Sequence, residues 1–414
     1  MSFSERTGPQ CLLGDLGGTN IRLTLVPASR LMGDHTLPPM THHTRYRTAE
    51  FEHLHGALAR FMREKPDDIG RVEACVICVC GPVSNGRAIC LAESMGPDGW
   101  VLVEAEVAAA LGLGERPHRV RLLNDFIAVG LAVGETDWRT RPHQLTTVHE
   151  GSHSVDGTIA VLGPGTGLGS CFGVRPSAPA ALTPSEPMPS RAQVQIYPSE
   201  GGESDFVART DTEWALRAYL QRELGVEHVK VEHVVSGLGL ARIYAFLRHS
   251  EESKASEAAE ASAAEAAADA AAVQSEVEAA PEPSVVVASR GTAGEGHSDP
   301  HCVAAVEMFL EALGAEAANL ALRFQAHGGV YIAGGVTAKL AERLVSGGRL
   351  CAAYLGKGRS TDAYRACPLY LLAVEGDDLA YEGTWRFARR ELRLGDHLPN
   401  GQAGQAASLA TPGT

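Results

Sequence analysis

Short aliphatic runs and longer amphipathic stretches alternate along most of this chain. Cys11–Asp15 is apolar to its last residue and stops at Gly17-Gly18-Thr19-Asn20; Ile21–Val26 then resumes the run. Two such runs around a glycine turn predict a β-hairpin. Thr41–Thr48 reads as a further strand. Phe51–Met62 places Phe51, Leu54, Leu58 and Phe61 on one helical stripe. Val72–Cys80 predicts a buried strand, Val103–Leu111 a helix, Val120–Leu123 a short strand and Phe126–Val133 a helix. Thr158–Gly163 and Ser170–Val174 predict a second glycine-turn hairpin. Helices are then expected over Thr212–Leu224, Leu238–Arg248, Val303–Phe324 and Lys339–Val345. Strands are expected at Val330–Ala333 and Leu369–Val374, and a closing helix at Leu379–Arg390. The alternation is that of an α/β protein.

At 414 residues the chain exceeds the roughly 250–300 that one hydrophobic core serves, so two lobes are expected. No uninterrupted apolar stretch reaches about 18 residues, which argues against a membrane span. Met1 to Gln10 is polar and lacks the apolar core of a secretory leader. The net charge of −14 argues against a sequence-independent grip on nucleic acid or an anionic membrane. Half of it lies in Glu251–Ala280, which holds eight acids, one lysine and fourteen alanines. With no apolar stripe to dock it, that segment reads as a solvated insertion, or alternatively as an acidic tether.

Nine cysteines without a leader do not suggest a disulfide framework. Cys75, Cys78 and Cys80 have a spacing that resembles a metal site. Within a strand, however, Cys78 and Cys80 share one face and Cys75 takes the other, so small core residues are the simpler reading.

Three glycine-rich turns carry the candidate chemistry. In Gly14–Asn20, glycines let backbone N–H groups approach an anion, and Thr19 and Asn20 add donors. Asp15 ends the preceding strand, where it could face a magnesium ion carried by a nucleotide. Gly163–Gly169 repeats the arrangement with Gly165, Thr166 and Gly167 at its tip. Gly334 and Gly335 lie at a strand-to-helix junction. Neither a Walker-type nor a dinucleotide-type glycine motif occurs. Two hairpins far apart in the chain suggest instead a phosphate clamp built from one hairpin of each lobe. Between them, Leu122-Leu123-Asn124-Asp125-Phe126 puts a carboxylate where a strand gives way to a helix; helix cap and general base are both open readings.

Taken together, GDLGGTN at Gly14–Asn20, LLNDF at Leu122–Phe126, GPGTGLG at Gly163–Gly169, SEGG at Ser199–Gly202, SGLG at Ser236–Gly239 and GVYIAGG at Gly329–Gly335 resemble the bacterial-type glucokinases. The resemblance runs over roughly residues 11–390. It implies the two-lobe hexokinase/actin-like ATPase fold, with ribonuclease H-like lobes and the active-site cleft between them. The small lobe would be 1–135, completed by a C-terminal helix within 373–394. The large lobe would be 136–372 with the insertion at 250–280, followed by a flexible tail at 395–414. It implies ATP and Mg²⁺ as cofactors, glucose as substrate, Asp125 as catalytic base, and Asn124, Glu200, Glu203 and Glu232 around the sugar. It also implies a cytoplasmic enzyme and suggests a homodimer, with no nucleic-acid or membrane partner. Another hexose or an amino sugar as substrate, or a sugar-binding regulator with weak catalysis, are the alternative readings.

The chain departs from the family pattern in places. Glu203 stands where the family has a sugar-contacting His, Gly96-Pro97 precedes Trp100 in place of Thr-Asn, Leu238 replaces a Pro, and Gly376-Asp377-Asp378 lacks Asn-Pro-Gly. Glu203 beside Glu200 is expected to bring carboxylate repulsion into the sugar site and to weaken glucose binding.

Overall fold

A computed structural model describes residues 2–32, 37–92, 95–114, 117–175, 193–257, 264–293, 298–374 and 376–392. The expected tail at 395–414 and part of the insertion lie outside these. A short helix, α1 (Phe3–Thr7), leads into β1 (Gln10–Leu16) and β2 (Asn20–Pro27), the first hairpin, which pairs Leu16 with Ile21 and Asp15 with Arg22. β3 (His42–Arg47) extends the sheet beyond β2, and α2 (Leu54–Glu64) leads to β4 (Val72–Val79), parallel to β1. A small three-stranded sheet follows: β5 (Val83–Ser84), β6 (Arg87–Cys90) and β7 (Trp100–Val103). After α3 (Glu104–Ala110), β8 (Val120–Asn124) completes the first sheet in the order β3-β2-β1-β4-β8 and feeds directly into α4 (Asp125–Glu135).

Both faces of this sheet are covered, which is why β1 and β4 read as near-continuous apolar runs rather than alternating ones. Leu12, Leu23 and Ile77 pack with Leu54, Leu58 and Phe61 of α2 on one face. Leu13, Val26 and Val76 pack on the other with Ala380, Trp385 and Ala388 near the C-terminus.

The second half repeats the plan. Its strands are β9 (Leu145–His149), β10 (Ile159–Pro164), β11 (Leu168–Val174), β12 (Gln195–Ser199), β13 (Val330–Ile332) and β14 (Leu369–Leu372), in the order β12-β11-β10-β13-β14-β9. Again an antiparallel hairpin carries a third antiparallel strand on one side and two parallel strands on the other. β9 is an additional antiparallel edge. The helices are α5 (Asp211–Leu224), α6 (Gly237–Glu257), α7 (Ala264–Ala279), α8 (Pro283–Thr292), α9 (Pro300–Phe324), α10 (Gly335–Ser346), α11 (Arg349–Tyr354) and α12 (Gly376–Glu391).

One helix joins the two halves. A Cβ on Gly130 of α4 would come within 2.6 Å of Ile196, and one on Gly134 within 2.8 Å of Val194. Across from them, a Cβ on Gly383 of α12 would lie 1.7 Å from the Ala128 carbonyl oxygen. Helix α4 is therefore pressed between α12, which covers the first sheet, and the hairpin side of the second sheet.

Two expectations are corrected. The insertion does carry an apolar stripe: Val273 and Val277, one turn apart in α7, pack on the large core, and Val277 is 5% exposed. Two valines among so many alanines give little amphipathic signal, yet they suffice to dock a helix. Strand β4 ends at Val79, so strict alternation stops before Cys80. Its side chain joins the cluster that contains Cys75, while Cys78 faces the opposite one. Among the described residues no group of three or more His, Cys, Asp or Glu could hold a metal ion, and no helix is long and apolar enough to cross a membrane.

Candidate active site

The first residue of α4 is the centre of the site. Asn124, at the end of β8, is the cap: its Oδ1 accepts from Phe126 N at 3.0 Å and Ile127 N at 3.2 Å, while Nδ2 donates to the Gly81 carbonyl at 3.2 Å. Asn124 alone reaches Ile127 N, and Asp125 shares only Phe126 N, from which its Oδ1 accepts at 2.9 Å. Its carboxyl is pushed up to about 7, first by burial, then by the charge of Asp15, with Glu200 adding to the rise. A carboxyl poised near neutrality can accept a proton from a hydroxyl as that hydroxyl becomes a nucleophile.

The glycines of the second hairpin divide by role. Gly163 and Gly169 face each other across β10 and β11. A Cβ on Gly169 would fall 1.9 Å from the Phe126 ring, and one on Gly163 2.5 Å from it. These two glycines therefore seat Phe126, and with it the start of α4. A Cβ on Gly167 would lie 2.4 Å from a Glu232 oxygen, and that oxygen accepts from Leu168 N at 2.7 Å. A Cβ on Gly165 would meet nothing within 4 Å, so there is open space beside it, while its N–H donates to the Gly167 carbonyl at 2.8 Å and closes the turn.

The turn is anchored on two further elements. Gly237 N, at the start of α6, donates to the Gly165 carbonyl at 2.8 Å, and Ser236 Oγ accepts from Gly239 N at 3.0 Å. Gly334 has φ +104°, a conformation for which glycine is suited, and a Cβ there would lie 2.6 Å from the Pro164 carbonyl oxygen. Gly335 opens α10 with free space around it. The second hairpin, the start of α6 and the start of α10 thus meet at one place.

The first hairpin faces them. Thr19 Oγ1 and Thr166 Oγ1, one from each turn, are 3.3 Å apart although 147 residues separate them. Gly17 N donates to the Asn20 carbonyl at 2.9 Å, and Gly18 lies against Ala92. Thr48, fully buried, fixes this turn: its Oγ1 donates to the Gly17 carbonyl at 2.9 Å and its N–H to the Thr19 carbonyl at 3.1 Å. Asn20 turns aside, its Oδ1 accepting from Arg45 Nε at 3.0 Å. Asp15 is paired with Arg22 at 2.7 Å, directly across the hairpin register.

Glu200 lies near enough for its charge to raise Asp125, and Glu203 and Glu232 act in turn on Glu200. Glu200 precedes the single turn Gly201–Glu203, and its carboxyl is raised by burial, by Glu203 and by Glu232. The expected repulsion from Glu203 is present in that rise, but Glu203 also has a cation partner that the sequence did not indicate. Lys230 Nζ lies 2.8 Å from Glu203 Oε1 and 2.7 Å from Oε2. His228 supports the same turn, with Nδ1 2.8 Å from Asp205 Oδ1 and Nε2 2.8 Å from the Glu203 carbonyl. Burial, then Arg242 and Lys230, hold the His233 imidazole down at about 4, so it is neutral at physiological pH.

Sequence reading missed Thr48, Arg22, Phe126 and Lys230. Arg22 was legible in principle, since the hairpin register sets it opposite Asp15. Nothing local marks Lys230 or Thr48.

The chain matches the Glucokinase family over residues 12–390. It is 30% identical over 361 residues to a glucokinase of Nostoc sp., covering 87% of this chain and 94% of that protein. It is also 30% identical to a glucokinase of Synechocystis sp., covering 88% and 94%. Among solved structures, a glucokinase of Balamuthia mandrillaris in complex with glucose superposes with a TM-score of 0.64 at 18% identity, covering 92% and 94% of the two chains. A ROK family glucokinase of Streptomyces griseus in complex with glucose and AMPPNP gives 0.55 at 16%, covering 92% and 99%. The fold is thus the two-lobe, actin-like ATPase fold, and by family match and identity together the chain belongs to the glucokinases, a family of sugar kinases.

Proposed function

We propose that the protein transfers the γ-phosphoryl group of ATP to the 6-hydroxyl of D-glucose, giving glucose 6-phosphate and ADP. The observation that carries this reading is Asp125 itself: a carboxyl poised near neutral pH at the first position of α4, between two glycine hairpins and near Glu200. Asp125 takes the proton of the 6-hydroxyl as its oxygen bonds to the γ-phosphorus. The bond from that phosphorus to the β,γ-bridging oxygen breaks, and ADP carries the electron pair away. Glu200, Glu232 and the spare amide hydrogen of Asn124 hold the sugar hydroxyls, with Glu203 at the rim. The open space beside Gly165 and Gly335, with the hydroxyls of Thr19 and Thr166, receives the phosphates.

Magnesium fits this donor set. Such an ion uses one or two carboxylates together with substrate phosphates rather than a protein cage, and the charge of Asp15 is already felt by Asp125. Asp15 would be the carboxylate that holds it, although Arg22 engages one of its oxygens at 2.7 Å and Cys78 Sγ donates to the other at 3.5 Å. When bound, the ion neutralises charge on the transferring phosphoryl group. Conversion of a panel of hexoses and amino sugars with Mg-ATP, followed by ADP release and by identification of the phosphorylated carbon, tests the reading. Efficient turnover of glucose to the 6-phosphate, lost in Asp125→Ala, is expected; turnover of another sugar alone would refute it.

A further inference from the structure

Lys230 is remote in sequence from Glu203, but an antiparallel pairing brings the two segments together. Val231 N donates to the Ser204 carbonyl at 2.8 Å, Phe206 N donates to the Val229 carbonyl at 2.8 Å, and Asp205 and Lys230 form an isolated bridge. The lysine ammonium then reaches both oxygens of Glu203. The pair sits beside Glu200, whose carboxyl already senses the charge of Glu203 and Glu232.

We infer that Lys230 is a positioning and specificity-determining residue of the sugar site: by holding Glu203 it sets the local charge balance, and so favours a neutral hexose over a cationic amino sugar. The inference rests on the sugar-kinase reading proposed above. Three carboxylates without a cation would form a strongly negative pocket, attractive to a protonated amine and costly for three ionised acceptors crowded round one neutral ring. With Lys230 bound, one of those charges is cancelled where it stands. Glu203 also keeps a fixed direction, so that its remaining lone pairs can accept from a hydroxyl. Glu203 and Lys230 are therefore one unit, and neither can be exchanged without exposing the other's charge. Glu203→His alone would set an imidazole against an unpaired ammonium and would not improve glucose binding.

The experiment compares wild type, Lys230→Met, Lys230→Arg, Glu203→Gln and the double variant Glu203→Gln/Lys230→Met. KM and kcat are measured for glucose and for 2-amino-2-deoxyglucose below the pKa of its amine. Lys230→Met should raise the glucose KM about fivefold with kcat within about twofold, and should shift kcat/KM about fivefold toward the amino sugar. Lys230→Arg should restore wild-type behaviour. Glu203→Gln, which leaves the cation, should shift preference the opposite way, and the double variant should return toward wild type. The KM for ATP should stay unchanged throughout.

Unchanged glucose KM and sugar preference in a folded Lys230→Met, or preference moving in the same direction in Lys230→Met and Glu203→Gln, overturns the inference. If Lys230→Met fails to fold, the Glu203→Gln and Lys230→Arg arms decide it. Wild type that turns over glucose while Lys230→Met is silent refutes only this inference. Wild type that phosphorylates no hexose refutes the proposed function and this inference together.

Discussion

Replacing Asp125 by Asn separates the cost of a poised base from its benefit. The carboxyl lies at about 7 in the folded protein against 3.8 for an unperturbed Asp, a rise of about three pKa units. At 1.36 kcal/mol per unit, the folded state loses about 4 kcal/mol when this group ionises. Residual solvent access and a favourable place at the N-terminal end of α4 reduce the net gain from removing the charge to about 2–3 kcal/mol. Asn keeps an oxygen to accept from Phe126 N, as Asp125 Oδ1 does at 2.9 Å. Because the folded pKa is raised, the penalty is absent below the unfolded pKa, grows as pH rises between 3.8 and about 7, and is complete above. Urea unfolding should therefore show Asp125→Asn more stable than wild type at pH 8, with the gap shrinking to about a third near pH 5. In the same preparation kcat should fall by about 10²–10⁴, the usual worth of a general base. The wild-type kcat/KM should decline below about pH 7 as the free enzyme takes up the proton. A variant no more stable than wild type at pH 8, or a gap independent of pH, would refute the burial and charge argument.

Gly169→Ala should force the Phe126 ring to move, since a Cβ there falls 1.9 Å from it, and should cost about 2–3 kcal/mol in unfolding experiments together with most of kcat. Thr48→Val removes the hydroxyl that holds Gly17 at 2.9 Å and should raise the KM for ATP severalfold, by about 1 kcal/mol, while the sugar KM holds in steady-state assays. Val277→Asp places a carboxylate at a position 5% exposed and should lower stability by about 3 kcal/mol or more, read as a drop in urea midpoint. Removal of Glu251–Ala280 should likewise destabilise, because Val273 and Val277 go with it.

Both hairpins, their glycine turns and the Asn124-Asp125 junction were legible because each combines an aliphatic run with an abrupt punctuating residue. Strands β5, β6, β7, β9 and β12 were not. Val83–Ser84 is two residues long, and Gln195–Ser199 is an edge strand with polar and exposed positions that give no apolar run. Helix α8 was hidden by its position between an alanine-rich segment and the polar run 293–299, and α10 began earlier than its apolar periodicity because Gly334 and Gly335 mask a helix start. The segment proposed to hold the sugar was legible through Glu200 and Glu232. Lys230 was not, because a cation's role there depends on a cross-chain pairing between 204–206 and 229–231. The residues alone left Asp125 between cap and base, and the family resemblance pointed to base; in the structure Asn124 takes Ile127 N and shares Phe126 N with Asp125.

Helix α4 is wedged between α12 and the second sheet, with glycines at its tightest contacts. An element shared in this way is the natural axle for any rocking of one half against the other. Points on an axle scarcely travel, whereas points at the rim sweep the widest arc. Asp125 begins that helix, whereas Thr19 and Thr166, 3.3 Å apart, belong to turns carried by the two sheets. Rotation about the helix would therefore part the two turns while leaving the helix itself nearly in place. Under the function proposed above, access for a nucleotide and aim at a hydroxyl would then be governed by different residues.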